Sequence, residues 1–171
     1  MKIFSFDAET NGLWGTAFSI AALVYENGVE TARFLARCPI EGETNPWVKD
    51  NVLPKMQDIE QTHNSYEAML ASFAEFYKEH KQDANIVVHM GVPVESRLFT
   101  DMHTLGFIGD WDGPYPLLDV AGMLLQAGED PTSVDTYASK YAIEVGENNT
   151  HNPLYDSEVA AKVFVHLMGR R

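Results

Sequence analysis

The sequence predicts an α/β fold built on a mixed sheet, and three observations carry that prediction. A hairpin turn signal, Asn27-Gly28, stands early; helical segments and short apolar runs alternate after it; and 171 residues, 45% of them apolar, can bury a sizeable core. Lys2 to Phe6 is apolar on both faces, the pattern of a strand covered on both sides. Phe18 to Tyr25 and Val29 to Ala36 read as the two arms of the hairpin. Pro46 to Leu53 predicts a short helix, with Asn45 as its cap and Pro54 ending it. Tyr66, Met69, Leu70, Phe73, Phe76, Tyr77 and His80 recur at helical spacing and predict an amphipathic helix over Ser65–Lys81. Asn85 to His89 is a short buried strand, Val94 to Leu105 a helix, and Leu117 to Val120 a brief strand. Helices follow near Ala121–Gln126 and Ser133–Tyr141. The last helix opens at Pro153 and runs to about Met168, with Ala160, Val163, Phe164 and Leu167 as its apolar face. No stretch reads as a linker or a repeat, so a single domain over 1–171 is expected.

Composition excludes several classes. The net charge of −13 argues against a broad basic surface for gripping long duplexes, and Arg170-Arg171 is the one adjacent basic pair. Cys38 is the single cysteine, which rules out an intrachain disulfide or a cysteine-built zinc site. The longest apolar run, Ala17 to Tyr25, is too short to cross a bilayer and is broken by Ser19. The N-terminus reaches an acid at Asp7 and lacks the shape of a signal peptide. A reduced, cytoplasmic setting without a membrane partner is the expectation.

The chemistry sits in three separated segments. Asp7 and Glu9, in Phe-Asp-Ala-Glu-Thr, are two apart at the end of the first strand, so both carboxylates face one way. Like charges held close need a proton or a cation between them. A strand running into a polar turn would give the same pair with no function. Asp156 lies four residues before Ala160 and seven before Val163, on the apolar face of the last helix. A favourable helix-dipole contact explains an acid in a first turn but not one aimed at the core side, where a charge requires a partner. His151, just outside that helix, can bring an imidazole to the same place, although a lone His is more often a solvated loop residue. Glu95 follows the strand and turn of Val87-Val88-His89-Met90-Gly91-Val92-Pro93. Converging carboxylates without cysteine suit magnesium or manganese rather than zinc.

These segments together resemble the DnaQ-like, DEDDh family of 3′→5′ exonucleases. Asp7 and Glu9 match its first motif, Asp-x-Glu-Thr, followed here by Asn11-Gly12-Leu13; His151 and Asp156 match the third, a His five residues before an Asp. His89 through Glu95 is similar to the second motif, with Asp119 in the Leu-Leu-Asp-Val segment that often follows it. The match covers residues 3 to 165 in the family's order. Pro46-Trp47-Val48 through Val52-Leu53-Pro54 further resembles the small exoribonucleases of the RNase AS type. The second motif departs from the pattern: it usually supplies an Asp, and here Glu95 stands one residue later. Asp101 is six residues further along a helix, a rotation of about 600°, which places it on another face.

The resemblance implies an RNase H-like fold, a mixed five-stranded sheet flanked by helices. It implies that Asp7, Glu9, Glu95 and Asp156 hold two Mg²⁺ or Mn²⁺ ions and that His151 is the general base. Thr10, Asn11, Gly12, Leu13 and Trp14 would line the pocket for the terminal nucleotide, with Leu13 or Trp14 on the base; Trp14 reads equally well as core. The reaction would release nucleoside 5′-monophosphates from single-stranded 3′ ends. RNA is favoured by the small-exoribonuclease likeness, with single-stranded DNA as the alternative, and a homodimer is compatible. A phosphoaspartate hydrolase of the haloacid dehalogenase kind needs Asp-x-Asp at the end of its first strand, where this chain has Asp7-Ala8-Glu9, and no Lys followed by an acid pair is evident in the second half. The rival from another class is a catalytically inactive exonuclease fold serving as a binding module.

Overall fold

In the computed structural model, which describes residues 1–169, the sheet is built around the first strand. β1 (Lys2–Thr10), β2 (Ala17–Glu26) and β3 (Val29–Arg37) form an antiparallel meander. β4 (Ala84–Val88) and β5 (Leu117–Asp119) add in parallel on the other side of β1, giving the order β3-β2-β1-β4-β5. The hairpin forms as the sequence predicts: Glu26 pairs with Val29, and Asn27 (φ 51°) and Gly28 (φ 85°) both take the positive φ of a type I′ turn. Arg170 and Arg171 lie outside the described residues.

Strand parity divides the molecule into two apolar layers. Phe4, Phe6 and Ala8 point to the side covered by α1 (Pro46–Asn51), α2 (Tyr66–His80) and α3 (Val94–Thr104), where Phe73, Tyr77 and Phe99 pack against them. Ile3, Leu23, Tyr25 and Val87 point to the opposite side, covered by α4 (Val120–Gln126), α5 (Val134–Lys140) and α6 (Pro153–Gly169). Ala160, Val163, Phe164 and Leu167 of α6 are all buried, as the helical spacing requires. Among the described residues, no helix is long and apolar enough to cross a membrane.

Two boundaries differ from the sequence reading. β1 continues four residues past Phe6 because Asp7 and Glu9 keep pairing with Ala21 and Ser19 of β2. The two acids, expected at the end of the strand, are thus paired members of its last four residues. The predicted helix stops at Asn51, and Pro54 sits within a 3₁₀ turn, Leu53–Met56, instead of terminating the helix. A proline near the start of such a turn removes an N–H that has no partner there anyway.

Candidate active site

The sheet opens where the acids stand. β1 pairs with β4 only from Lys2 to Ser5, and beyond Ser5 the two strands part. The N–H of Ala8, between Asp7 and Glu9, is left without a strand partner and donates to Glu95 Oε1 at 3.2 Å. Glu95 projects from the first turn of α3 and is 4% exposed. Asp7 and Glu9 share the parity of Ile3 and so face α6, whose first turn carries Asp156. One carboxylate oxygen from each of Asp7, Glu9 and Asp156 lies within 4.8 Å of the others. The structure thus brings together three of the four predicted acids directly, with the fourth fastened to the strand between two of them.

Electrostatics shows what this costs. Burial, then the Glu95 charge, pushes the Asp7 carboxyl well above the carboxylate range. Glu9 is raised by burial and then by Asp7, Asp156 and Glu95. Asp156 is raised by burial and by Asp7, against a lowering hydrogen bond from the His151 N–H. Burial pushes Glu95 up to about 7, although the Ala8 N–H lowers it. No Lys or Arg forms an ion pair with any of the four among the described residues. Buried carboxylates converging without a counter-cation either hold protons or hold a metal. Hard oxygen donors at this spacing fit Mg²⁺ or Mn²⁺.

Asp119 supports the second motif from below. At the end of β5 it accepts from Met90 N–H and Gly91 N–H, both at 3.0 Å, and from Ala121 N–H at 2.9 Å. It thereby caps α4 and clamps the β4–α3 turn that delivers Glu95. Asp101, as its helical position requires, faces away: it accepts from Tyr66 OH at 2.7 Å and pairs with Arg97.

His151 stands at the other end of the cluster. Its backbone has φ 71° and its N–H donates to Asp156 Oδ2 at 2.9 Å, so the residue is bound to the first turn of α6. Asn152 Oδ1 accepts from Leu154 N–H and begins the helix. The imidazole meets the indole of Trp47 edge to face, with ring centroids 5.2 Å apart. Burial and then the Lys55 charge lower its pKa, while Asp135 opposes them, so the neutral ring is favoured. Asp7, His89, Asp135, His151 and Asp156 line a cleft of about 270 Å³.

The Thr10–Trp14 segment follows directly on Glu9 and is tied to the loop before α1 and to α3. Thr10 ends β1 at a register shift. Asn11 commits both ends of its amide to the chain: Nδ2 donates to Glu43 O, and Oδ1 accepts from Asn45 N–H at 2.8 Å. Gly12 (φ 81°) approaches Asn45 so closely that a Cβ would stand 2.9 Å from its Nδ2. Leu13 and Trp14 are 60% and 75% exposed, which removes the reading of Trp14 as core. Arg97 Nη1 donates to Trp14 O and fixes the segment to α3. Sequence reasoning left out Trp47 as a neighbour of His151, since the two are distant in the chain and no local pattern joins them.

The fold these elements define is an RNase H-like α/β fold, a mixed five-stranded sheet with flanking helices. Among solved structures the chain is similar to "Exonuclease X in complex with 5′ overhanging duplex DNA", with a TM-score of 0.60 and 16% sequence identity over 98% of this chain and 91% of that one. No family model matches the chain, and no curated protein sequence matches it.

Proposed function

We propose that the chain is a metal-dependent 3′→5′ exonuclease of the DnaQ-like, DEDDh kind, a single domain that releases nucleoside 5′-monophosphates from single-stranded 3′ ends. The observation that carries the reading is the convergence of Asp7 and Glu9 of β1 and Asp156 of α6, one carboxylate oxygen of each within 4.8 Å of the others. The exonuclease fold of the solved neighbour agrees with it. Asp7, Glu9, Glu95 and Asp156 would hold two Mg²⁺ or Mn²⁺ ions, which when bound supply Lewis-acid stabilisation of the phosphodiester and ease ionisation of water.

The chain's own residues do the rest. His151, held neutral by burial and by Lys55, accepts the proton of the attacking water. The water oxygen bonds to phosphorus, the bond to the 3′ oxygen of the preceding nucleotide breaks, and that oxygen leaves as a hydroxyl after taking up a proton. Leu13 and Trp14 present free apolar surface beside the acids for the terminal base. The acidic charge suits an enzyme that captures one strand end rather than a duplex face.

RNA is the favoured substrate, on the likeness of Pro46 through Pro54 to small exoribonucleases. Single-stranded DNA is the second reading, favoured by the DNA in the neighbour's complex. The test is a Mn²⁺-dependent assay on labelled RNA and DNA strands of one sequence. Stepwise mononucleotide release from the 3′ end is expected, with circular and 3′-phosphorylated strands resistant. Internal cuts in a circle would instead indicate an endonuclease, and no cleavage of any strand a binding module.

A further inference from the structure

His151 differs from a triad histidine in how it is held. Its backbone N–H is bound to Asp156, but among the described residues no carboxylate or other group hydrogen-bonds either ring nitrogen, Asp135 acting on the ring only through its charge. The one ring contact is the indole of Trp47, 5.2 Å away between centroids and at 88°. Such edge-to-face pairs contribute modestly to stability yet restrict ring geometry.

Trp47 is itself anchored. Its backbone N–H donates to Asn45 Oδ1 at 2.9 Å, and Asn51 Nδ2 donates to its backbone carbonyl at 2.9 Å. The Asn45 N–H in turn donates to Asn11 Oδ1, in the segment after the first motif. From the other side, Asn149 and Asn152 both donate through Nδ2 to Lys55 O, tying the loop around His151 to the 3₁₀ turn that follows Trp47. Trp47 is 55% exposed, more surface than a residue serving only the core would leave in water. The segment from Asn45 to Lys55 is therefore tied at one end to the turn after Glu9 and at the other to the loop that carries His151, and it meets the imidazole with one aromatic side chain.

We infer that Trp47 is a positioning residue for the general base: its indole fixes the orientation of the His151 ring, and Asn11 and Asn45 hold the backbone that carries it. The role rests on the exonuclease reading of the site. A loss of positioning lowers turnover rather than substrate affinity, and displacements near 1 Å can cost about 10²-fold.

The test combines kinetics with histidine NMR of the metal-free protein, in which His151→Ala identifies the His151 ring signals. In the unmutated protein, nuclear Overhauser contacts between the His151 and Trp47 rings are expected. Trp47→Leu should lower kcat by about 10- to 100-fold with KM little changed, and should move the His151 ring signals. Trp47→Phe, which restores an aromatic edge or face, should recover most of the turnover and the signal positions. An unmoved His151 signal in Trp47→Leu, absent ring contacts in the unmutated protein, or a rise in KM alone would overturn the positioning role while leaving the nuclease reading intact; the last of these makes Trp47 a base-stacking residue. An unmutated protein inactive on every 3′-ended strand overturns the nuclease reading, and the positioning role falls with it.

Discussion

The carboxylate of Glu95 accepts a hydrogen bond from the backbone N–H of Ala8, at 3.2 Å, and so joins the first turn of α3 to the strand between Asp7 and Glu9. A side chain takes the place of the absent β4 partner. The acid is then both part of the candidate metal site and a splice in the sheet, and its length matters for both.

Glu95→Gln should nearly abolish nuclease activity at saturating Mn²⁺. It can still accept from Ala8 N–H but loses the charge. Glu95→Asp should also be poor, at about 10²-fold below wild type, because a shorter side chain cannot reach both Ala8 and a cation. Asp101→Asn should stay close to wild type, since Asp101 faces Tyr66 and Arg97. Steady-state turnover of the three variants checks this; a dead Asp101→Asn beside an active Glu95→Gln would transfer the role to Asp101.

Asp7→Asn and Asp156→Asn should lose activity and gain stability in chelator. Both carboxyls have folded pKa values raised above their unfolded ones, so the folded state binds more protons, and the unfavourable contribution grows as pH rises from about 4 towards the raised values. At pH 8 with EDTA, each variant should melt higher than wild type, by about 2–4 °C for each kcal/mol of repulsion relieved. Added Mn²⁺ should raise the wild-type Tm most, and more at pH 8 than at pH 6. Calorimetric scans at the two pH values decide it; equal or lower melting temperatures for both variants would show that the acids are not in conflict.

His151→Ala should cut kcat by about 10²–10⁴-fold with little change in Mn²⁺ affinity. The wild-type rate at saturating Mn²⁺ should rise with pH as the imidazole loses its proton. Its pKa is lowered, so the half-maximal rate should fall below pH 6.5. A pH–rate profile on both proteins tests the assignment, and an unchanged alanine variant would make His151 a bystander.

Trp14→Ala should raise KM for oligonucleotides by roughly 5- to 150-fold, the equivalent of about 1–3 kcal/mol of stacking, and leave kcat near wild type. The exposed indole makes no apolar core, so the melting temperature should hold. Initial rates across substrate concentration separate the two constants. A large loss of stability with KM unchanged would instead make Trp14 a structural residue.

Patterns with a fixed period were readable in the sequence. Residues two apart on a strand share a face, which placed Asp7 and Glu9 together; the spacing to Ala160 and Val163 put Asp156 towards the sheet; and helical rotation separated Asp101 from Glu95. What depended on distant chain segments was not readable. β1 runs on to Thr10 because β2 offers partners there, and no residue of β1 announces that. The partnership of Trp47 with His151 arises only when α1 is folded over the opposite end of the chain. Trp14 is large and apolar, and nothing in its own residue type tells that it faces water.

The parting of β1 from β4 divides the site by mobility. Asp7 and Glu9 ride on the central strand, whose amides pair along β2 for its whole length and along β4 as far as Ser5. Those amides should be among the slowest in the molecule to exchange with deuterium, opening only with the whole fold. Glu95, His151 and Trp47 stand at helix ends and turns that side-chain hydrogen bonds and one ring contact hold, with no strand pairing beneath them. A substrate entering the cleft meets one fixed wall and one that can adjust on a faster timescale. The amide of Ala8, guarded by a side chain instead of a strand, marks the seam between them.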